Sequence, residues 1–119
     1  MTSLEERARG IRLILLDVDG VLTDGTVVMH GDGAESKAFH IRDGAAIVWA
    51  MQTGVDVGLL SARSSAATTQ RANQLGIRIV AQGAISKPAE FERILAEQGL
   101  TESEVAYMGD DLLDIPVLK

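Results

Sequence analysis

The chain predicts an α/β fold: a parallel sheet with helices on both faces and a β-hairpin inserted after the first strand. Two observations carry this. Four apolar runs, at residues 11–16, 55–60, 77–80 and 105–108, alternate with segments of helical length and periodicity. Each helical segment also has a cap residue before it and a glycine (Gly54, Gly76, Gly99) where it should stop. Parallel strands joined through helices take right-handed crossovers.

Taken in order, Ile11 to Leu16 is apolar apart from Arg12, as for a strand buried on both faces, and polar residues take over at Asp17. Residues 23–40 form the hairpin insert. Thr26 to His30 and Glu35 to Phe39 flank Gly31-Asp32-Gly33, and Asp-Gly between extended segments favours a tight turn. Asp43 suits the N-cap of a helix running to about Gln52 with Ile47, Val48 and Met51 inward. Val55 to Leu60 is the second central strand. Ser64 or Ser65 caps a helix to about Leu75, and Ile77 to Val80 is the third strand. Pro88 fits the first turn of a helix that turns Phe91, Ile94 and Leu95 inward. Thr101 and Glu104 match a capping box before the last strand, Val105 to Met108. Residues 111–119 read as the start of another helix. A doubly wound domain normally continues into a further strand, so the sequence is expected to be part of something longer.

Composition bounds the function. With 119 residues, residues 1–119 are read as one domain. Hydrophobic residues make up 46% and charged residues 24%, which favours a folded domain over disorder. A net charge of −6 argues against binding nucleic acid through a broad basic surface, while local Lys and Arg can still hold a small anion. Cysteine is absent, which excludes disulfides and thiolate metal sites and fits a cytoplasmic protein. No apolar stretch approaches the roughly 20 residues of a membrane helix, so no membrane partner is expected.

Two aspartate clusters then stand out. Asp17-Val18-Asp19-Gly20 follows the first strand, and Gly109-Asp110-Asp111 with Asp114 follows the last. In an open parallel sheet the carboxyl ends of the strands are where ligands bind. Carboxylates crowded there need a cation, and hard oxygen donors suit Mg²⁺. A remaining carboxylate can attack phosphorus, with a second one two residues on to move the proton. Alone, Asp17-Val18-Asp19-Gly20 also suits an Asx turn closed by glycine. Alone, Ser61 reads as a helix cap and Lys87 as a solvated lysine.

Together, Asp17-Val18-Asp19-Gly20-Val21, Ser61-Ala62-Arg63, Lys87 before a helix, and Gly109-Asp110-Asp111-Leu112-Leu113-Asp114 resemble, in order, the four motifs of the haloacid dehalogenase (HAD) superfamily of phosphohydrolases, with its Rossmann-like sheet. The resemblance implies that Asp17 is nucleophile and metal ligand. Asp19 is acid/base and lends the metal its backbone carbonyl. Ser61 bonds the phosphoryl group, and Lys87 neutralises nucleophile and phosphate. Asp110 and Asp111 hold Mg²⁺, and Asp114 orients Lys87 or water. Neither interval that houses a cap domain in the superfamily is long enough here. Val21-Leu22-Thr23-Asp24-Gly25 and Phe39-His40-Ile41-Arg42-Asp43-Gly44 further resemble the capless 3-deoxy-D-manno-octulosonate 8-phosphate phosphatase family and its sialic-acid-type relatives, over about residues 11–118. That family implies a homotetramer with sites at subunit boundaries and a phosphorylated sugar-acid substrate. Ser61-Ala62-Arg63 departs from the more usual Thr-Gly-Arg but keeps the hydroxyl, and the family's C-terminal tail is missing.

Arg42, Arg63 and Arg71 are assigned to the substrate, since guanidinium grips a carboxylate or phosphate bidentately. Arg71, two helical turns beyond Arg63, serves a remote substrate end, a subunit contact or solvent. His40, Asp43 and Gly44 complete the substrate-facing set, His40 with a packing role as the alternative. His30 is read as an exposed hairpin residue, and Trp49 and the methionines as core or interface. Two other readings stand beside this one: a nonulosonate 9-phosphate phosphatase, and a non-catalytic oligomerisation module associated with sugar-nucleotide synthesis.

Overall fold

A computed structural model describes residues 9–109. Its core is a four-stranded, all-parallel sheet in the order β5-β4-β1-β6. The elements are β1 (Leu13–Leu16), β2 (Val28–Met29), β3 (Glu35–Ser36), α1 (Ile41–Gln52), β4 (Asp56–Leu60), α2 (Ala66–Leu75), β5 (Ile79–Ala81), α3 (Lys87–Gln98), a 3₁₀ turn (Glu102–Glu104) and β6 (Val105–Met108). The α/β alternation of the sequence is therefore the architecture.

Strand geometry explains why β1 reads as continuous apolar sequence. Successive side chains point to opposite faces, and both faces are covered. Leu16 packs with Val57, Leu59, Ile47 and Ala72 under α1 and α2. Leu13 and Leu15 pack with Leu60, Ala81 and Ile94 under α3. Gly58 on β4 keeps this second face thin: a Cβ there would stand 2.8 Å from Leu15 Cδ2 and 2.9 Å from Ile79 Cγ2. No helix among the described residues is long and apolar enough to cross a membrane.

The hairpin forms where expected but is short. Val28 pairs with Ser36 and Met29 with Glu35, and the turn closes through His30 N–H donating to the Ala34 carbonyl at 2.8 Å. His30 is exposed, its Nε2 2.8 Å from Ser36 Oγ. One boundary is corrected. His40, not Asp43, is the N-cap of α1, with its Nδ1 accepting the Arg42 N–H at 3.0 Å. Asp43 instead lies in the first turn, where a carboxylate favours the positive end of the helix dipole. Ser65 takes the N-cap position of α2, and the third strand starts two residues and ends one residue later than its apolar run suggested. Trp49 is not a core residue; it is 72% exposed on α1.

Candidate active site

The site grows from the end of β1. Parallel pairing sets Leu16 beside Leu59 of β4 and Met108 of β6. The next residue, Asp17, donates its N–H to the Met108 carbonyl at 2.9 Å, so the ladder runs one residue past the strand. Beyond it the chain coils. The Val18 carbonyl accepts from the N–H groups of Leu22 (2.9 Å) and Thr23 (3.2 Å), and Gly20 takes φ +83°, a left-handed conformation that glycine adopts without penalty. Thr23 Oγ1 accepts from Gly20 and Gly25 N–H at 3.4 and 3.1 Å and closes the loop. The chain thus turns at Gly20, closed by the Thr23 hydroxyl and not by an Asx bond from either aspartate.

Asp17 is almost fully buried. Its Oδ1 accepts the Val18 N–H at 2.8 Å and lies 3.5 Å from Lys87 Nζ. Lys87 is the first residue of α3, where Ser86 Oγ accepts the Ala89 N–H and Pro88 completes the first turn. Starting the helix there brings the lysine to the end of β1. Its ammonium also donates to the Tyr107 hydroxyl at 3.2 Å and lies 6.0 Å from that ring. Lys87 is 5% exposed, so it is no solvated lysine.

Asp19 turns away from that pair. Its Oδ1 faces Lys37 Nζ at 2.9 Å, an ion pair rather than a well-aligned hydrogen bond, and its Oδ2 lies 3.6 Å from Arg63 Nε. Arg63 Nη2 also donates to Glu35 Oε2 at 3.0 Å. Ser61, 3% exposed, extends β4 by donating its N–H to the Ala81 carbonyl, and its Oγ accepts the Arg63 N–H at 3.2 Å. The strand end and the first turn after it therefore orient Ser61 and Arg63 together.

Contacts thus join Asp17 to Lys87, Asp19 to Arg63, and Arg63 to Ser61. The remaining residues lie elsewhere or outside the described range. Arg42 and Asp43 are exposed on the first turn of α1; Asp43 borders a hollow with Leu22, Thr23, Asp24 and His40. Gly44 is buried against α2, where a Cβ would collide with the Arg71 guanidinium and stand 3.2 Å from Leu75 Cδ2. Arg71 itself stacks 5.9 Å over Phe39, between the two helices. Asp110, Asp111 and Asp114 lie outside the described residues, directly after Gly109 at the end of β6.

Sequence reasoning missed Lys37, Glu35 and Tyr107. A signal for the first two existed. Glu35, Lys37 and Phe39 alternate with exposed Ser36 and Ala38, so one face of the returning hairpin strand carries two charges beside an aromatic ring.

As a cation site, the donors fit Mg²⁺ in kind. Asp17 and the Asp19 backbone supply hard oxygens at one strand end, and the adjacent strand runs into Asp110. Among the described residues, no three acidic or histidine side chains cluster; Asp110 and Asp111 lie outside that range.

No protein-family model matches the chain. It is 41% identical over 113 residues to the 3-deoxy-D-manno-octulosonate 8-phosphate phosphatase of Yersinia pestis, covering 95% of this chain and 60% of that protein. The phosphatase of the same name from Escherichia coli K12 is 40% identical over 113 residues. The Yersinia pestis crystal structure superposes with a TM-score of 0.91 at 41% identity, covering 94% of this chain and 60% of that one. The Moraxella catarrhalis phosphatase, solved with a magnesium ion, a phosphate ion and KDO, gives 0.90 at 36% identity, covering 94% and 64%. A HAD-superfamily hydrolase from Legionella pneumophila gives 0.91 at 36%, covering 96% and 63%. The chain is homologous to these proteins and shares their fold, and it spans about three fifths of the length of the relatives it matches.

Proposed function

We infer that this relative of the 3-deoxy-D-manno-octulosonate 8-phosphate phosphatases hydrolyses that sugar-acid phosphate, in its full-length form, through an aspartyl phosphate on Asp17. The observation that carries this reading is the separation of two carboxylates by environment. Asp17 is buried against the Lys87 ammonium at 3.5 Å, while Asp19, two residues on, is turned toward a different pair of cations.

That separation assigns the steps. An Asp17 carboxylate oxygen attacks phosphorus, forming the acyl phosphate and breaking the bond to the sugar oxygen. Asp19 gives that oxygen its proton. Asp19 then takes a proton from water as the water attacks phosphorus, releasing inorganic phosphate and restoring the Asp17 carboxylate. Lys87 offsets the negative charge that gathers at Asp17, which preorganised charge in a buried site does most effectively. The Ser61 hydroxyl, buried at the end of β4, would bond a phosphoryl oxygen. Mg²⁺ held by Asp17, the Asp19 carbonyl and Asp110, with Asp111 in support, would supply the remaining positive charge. Arg63 is the substrate-facing cation nearest the reacting groups, suited to a sugar-acid carboxylate. Arg42, Asp43 and Arg71 would serve more distant parts of the substrate, or a neighbouring subunit's site.

A homotetramer is part of the same reading. Val28 and Met29 on the hairpin and Trp49 on α1 are exposed apolar side chains that an assembly would cover.

The test is a panel of sugar phosphates, including a nonulosonate 9-phosphate, given to the full-length protein and its Asp17→Asn variant with and without Mg²⁺. Turnover of the octulosonate ester that needs both Mg²⁺ and Asp17 is expected. Preference for the nine-carbon ester would move the substrate assignment. No turnover by a full-length tetramer would leave a structural module instead, and light scattering showing a monomer would remove the assembly.

A further inference from the structure

Lys37 belongs to neither the nucleophile nor the acidic motif, yet it is the most deeply buried charged side chain beside Asp19. Its side chain is 1% exposed, although its backbone lies at the surface just after β3. Burying an ammonium so fully is unfavourable unless a partner compensates it. The described partner is Asp19 Oδ1, at 2.9 Å.

Arg63 and Glu35 complete the arrangement. Asp19 Oδ2 faces Arg63 Nε at 3.6 Å, and Arg63 Nη2 donates to Glu35 Oε2 at 3.0 Å. Glu35 and Lys37 are two residues apart on one face of the same hairpin strand. Four charged groups therefore form a chain, Lys37–Asp19–Arg63–Glu35, whose two ends both belong to the hairpin. A one-residue slip in the pairing of Met29 with Glu35 would turn both ends outward together.

We propose that Lys37, with Glu35 acting through Arg63, is a positioning residue that holds the Asp19 carboxyl where it protonates the departing sugar oxygen. The idea rests on the phosphatase reading above. Asp19 lies in a loop and is 22% exposed, so its side chain is not held by packing alone. Lys37 restricts its rotation by holding Oδ1 at 2.9 Å, while Oδ2, 3.6 Å from Arg63 Nε and so beyond hydrogen-bond distance, is left to carry the proton. Proton transfer in the transition state depends on such placement, and a misplacement of about 1 Å can cost on the order of a hundredfold in rate. The hairpin thereby becomes part of the catalytic apparatus, although it contributes no reacting atom.

Leaving-group dependence separates this role from a structural one. A sugar alkoxide needs a proton as it departs, whereas a p-nitrophenolate leaves readily without one. The comparison uses kcat/KM of the full-length protein with Mg²⁺, which reports transfer to Asp17 and not the later water attack. For Lys37→Met, kcat/KM on the sugar phosphate should fall about a hundredfold, and at least tenfold more than on p-nitrophenyl phosphate. Lys37→Arg should recover part of the loss, and adding Lys37→Met to Asp19→Asn should cost little further. Unfolding curves of each variant show whether it is folded. Equal losses on both esters, or full additivity with Asp19→Asn, would overturn the proposal while leaving the phosphatase reading intact. Failure of the unsubstituted protein to hydrolyse either ester would overturn both.

Discussion

At the scale of single residues, Lys87 shows how burial turns a common side chain into a specific one. Its side chain is 4% exposed and that of Asp17 8% exposed, so each contributes to compensating the other's charge. Breaking a buried ion pair leaves an uncompensated charge. Lys87→Met should therefore destabilise the metal-free protein by about 3 kcal/mol and lower turnover by at least about a hundredfold. Urea denaturation without Mg²⁺ and steady-state phosphate release check the two effects. Unchanged stability would mean that Asp17 does not depend on the ammonium.

The same scale shows what could be read beforehand. Asp17, Ser61 and Lys87 were legible because each sits at a strand end or helix start that the apolar periodicity marks. Lys37 was not, because its burial depends on the hairpin folding back over the loop after β1, a long-range contact that no local pattern encodes. Arg71 was legible as a cation but not in its placement. Gly44 is what admits its guanidinium between α1 and α2, and only helix packing reveals that space.

At the scale of elements, the boundaries follow from cap chemistry more than from apolar content. The helix α1 begins at Ile41 because His40 Nδ1 accepts the Arg42 N–H, which histidine does less commonly than aspartate. Asp43 therefore drew the boundary three residues too late in the sequence reading. The Thr101–Glu104 capping box, by contrast, was read correctly. It fixes the entry to β6, where the Glu104 carbonyl accepts the Arg12 N–H at 2.7 Å. Glu104 Oε1 accepts from the Thr101 N–H and the Thr101 hydroxyl, and these bonds hold its carboxyl below the usual glutamate range. A lowered folded-state pKa means stability that is present above the unfolded value of about 4.3 and lost as pH falls through the folded one. Glu104→Gln should therefore be less stable than the parent near neutrality, with the gap narrowing as pH drops below about 4.3. Denaturation midpoints across that range check it; a gap that widens in acid would contradict the assignment.

At the scale of the whole molecule, strand order places the chemistry. Because β1 lies between β4 and β6, the ends of three neighbouring strands converge, bringing Asp17, Ser61 and Gly109 toward one edge of the sheet. The alternation of apolar runs and helices was enough to foresee the parallel sheet. The hairpin's lock onto Asp19 was not foreseen, because it joins residues that sequence spacing keeps apart. The account as a whole stands on Asp17 as the atom donor to phosphorus, and the stereochemistry of phosphoryl transfer tests that most directly. A sugar phosphorothioate made chiral at phosphorus with two oxygen isotopes, hydrolysed by the full-length protein in water carrying the third, should give chiral thiophosphate with net retention, because attack by Asp17 and then by water each invert. Net inversion would mean that water attacks the ester directly, and would contradict the account.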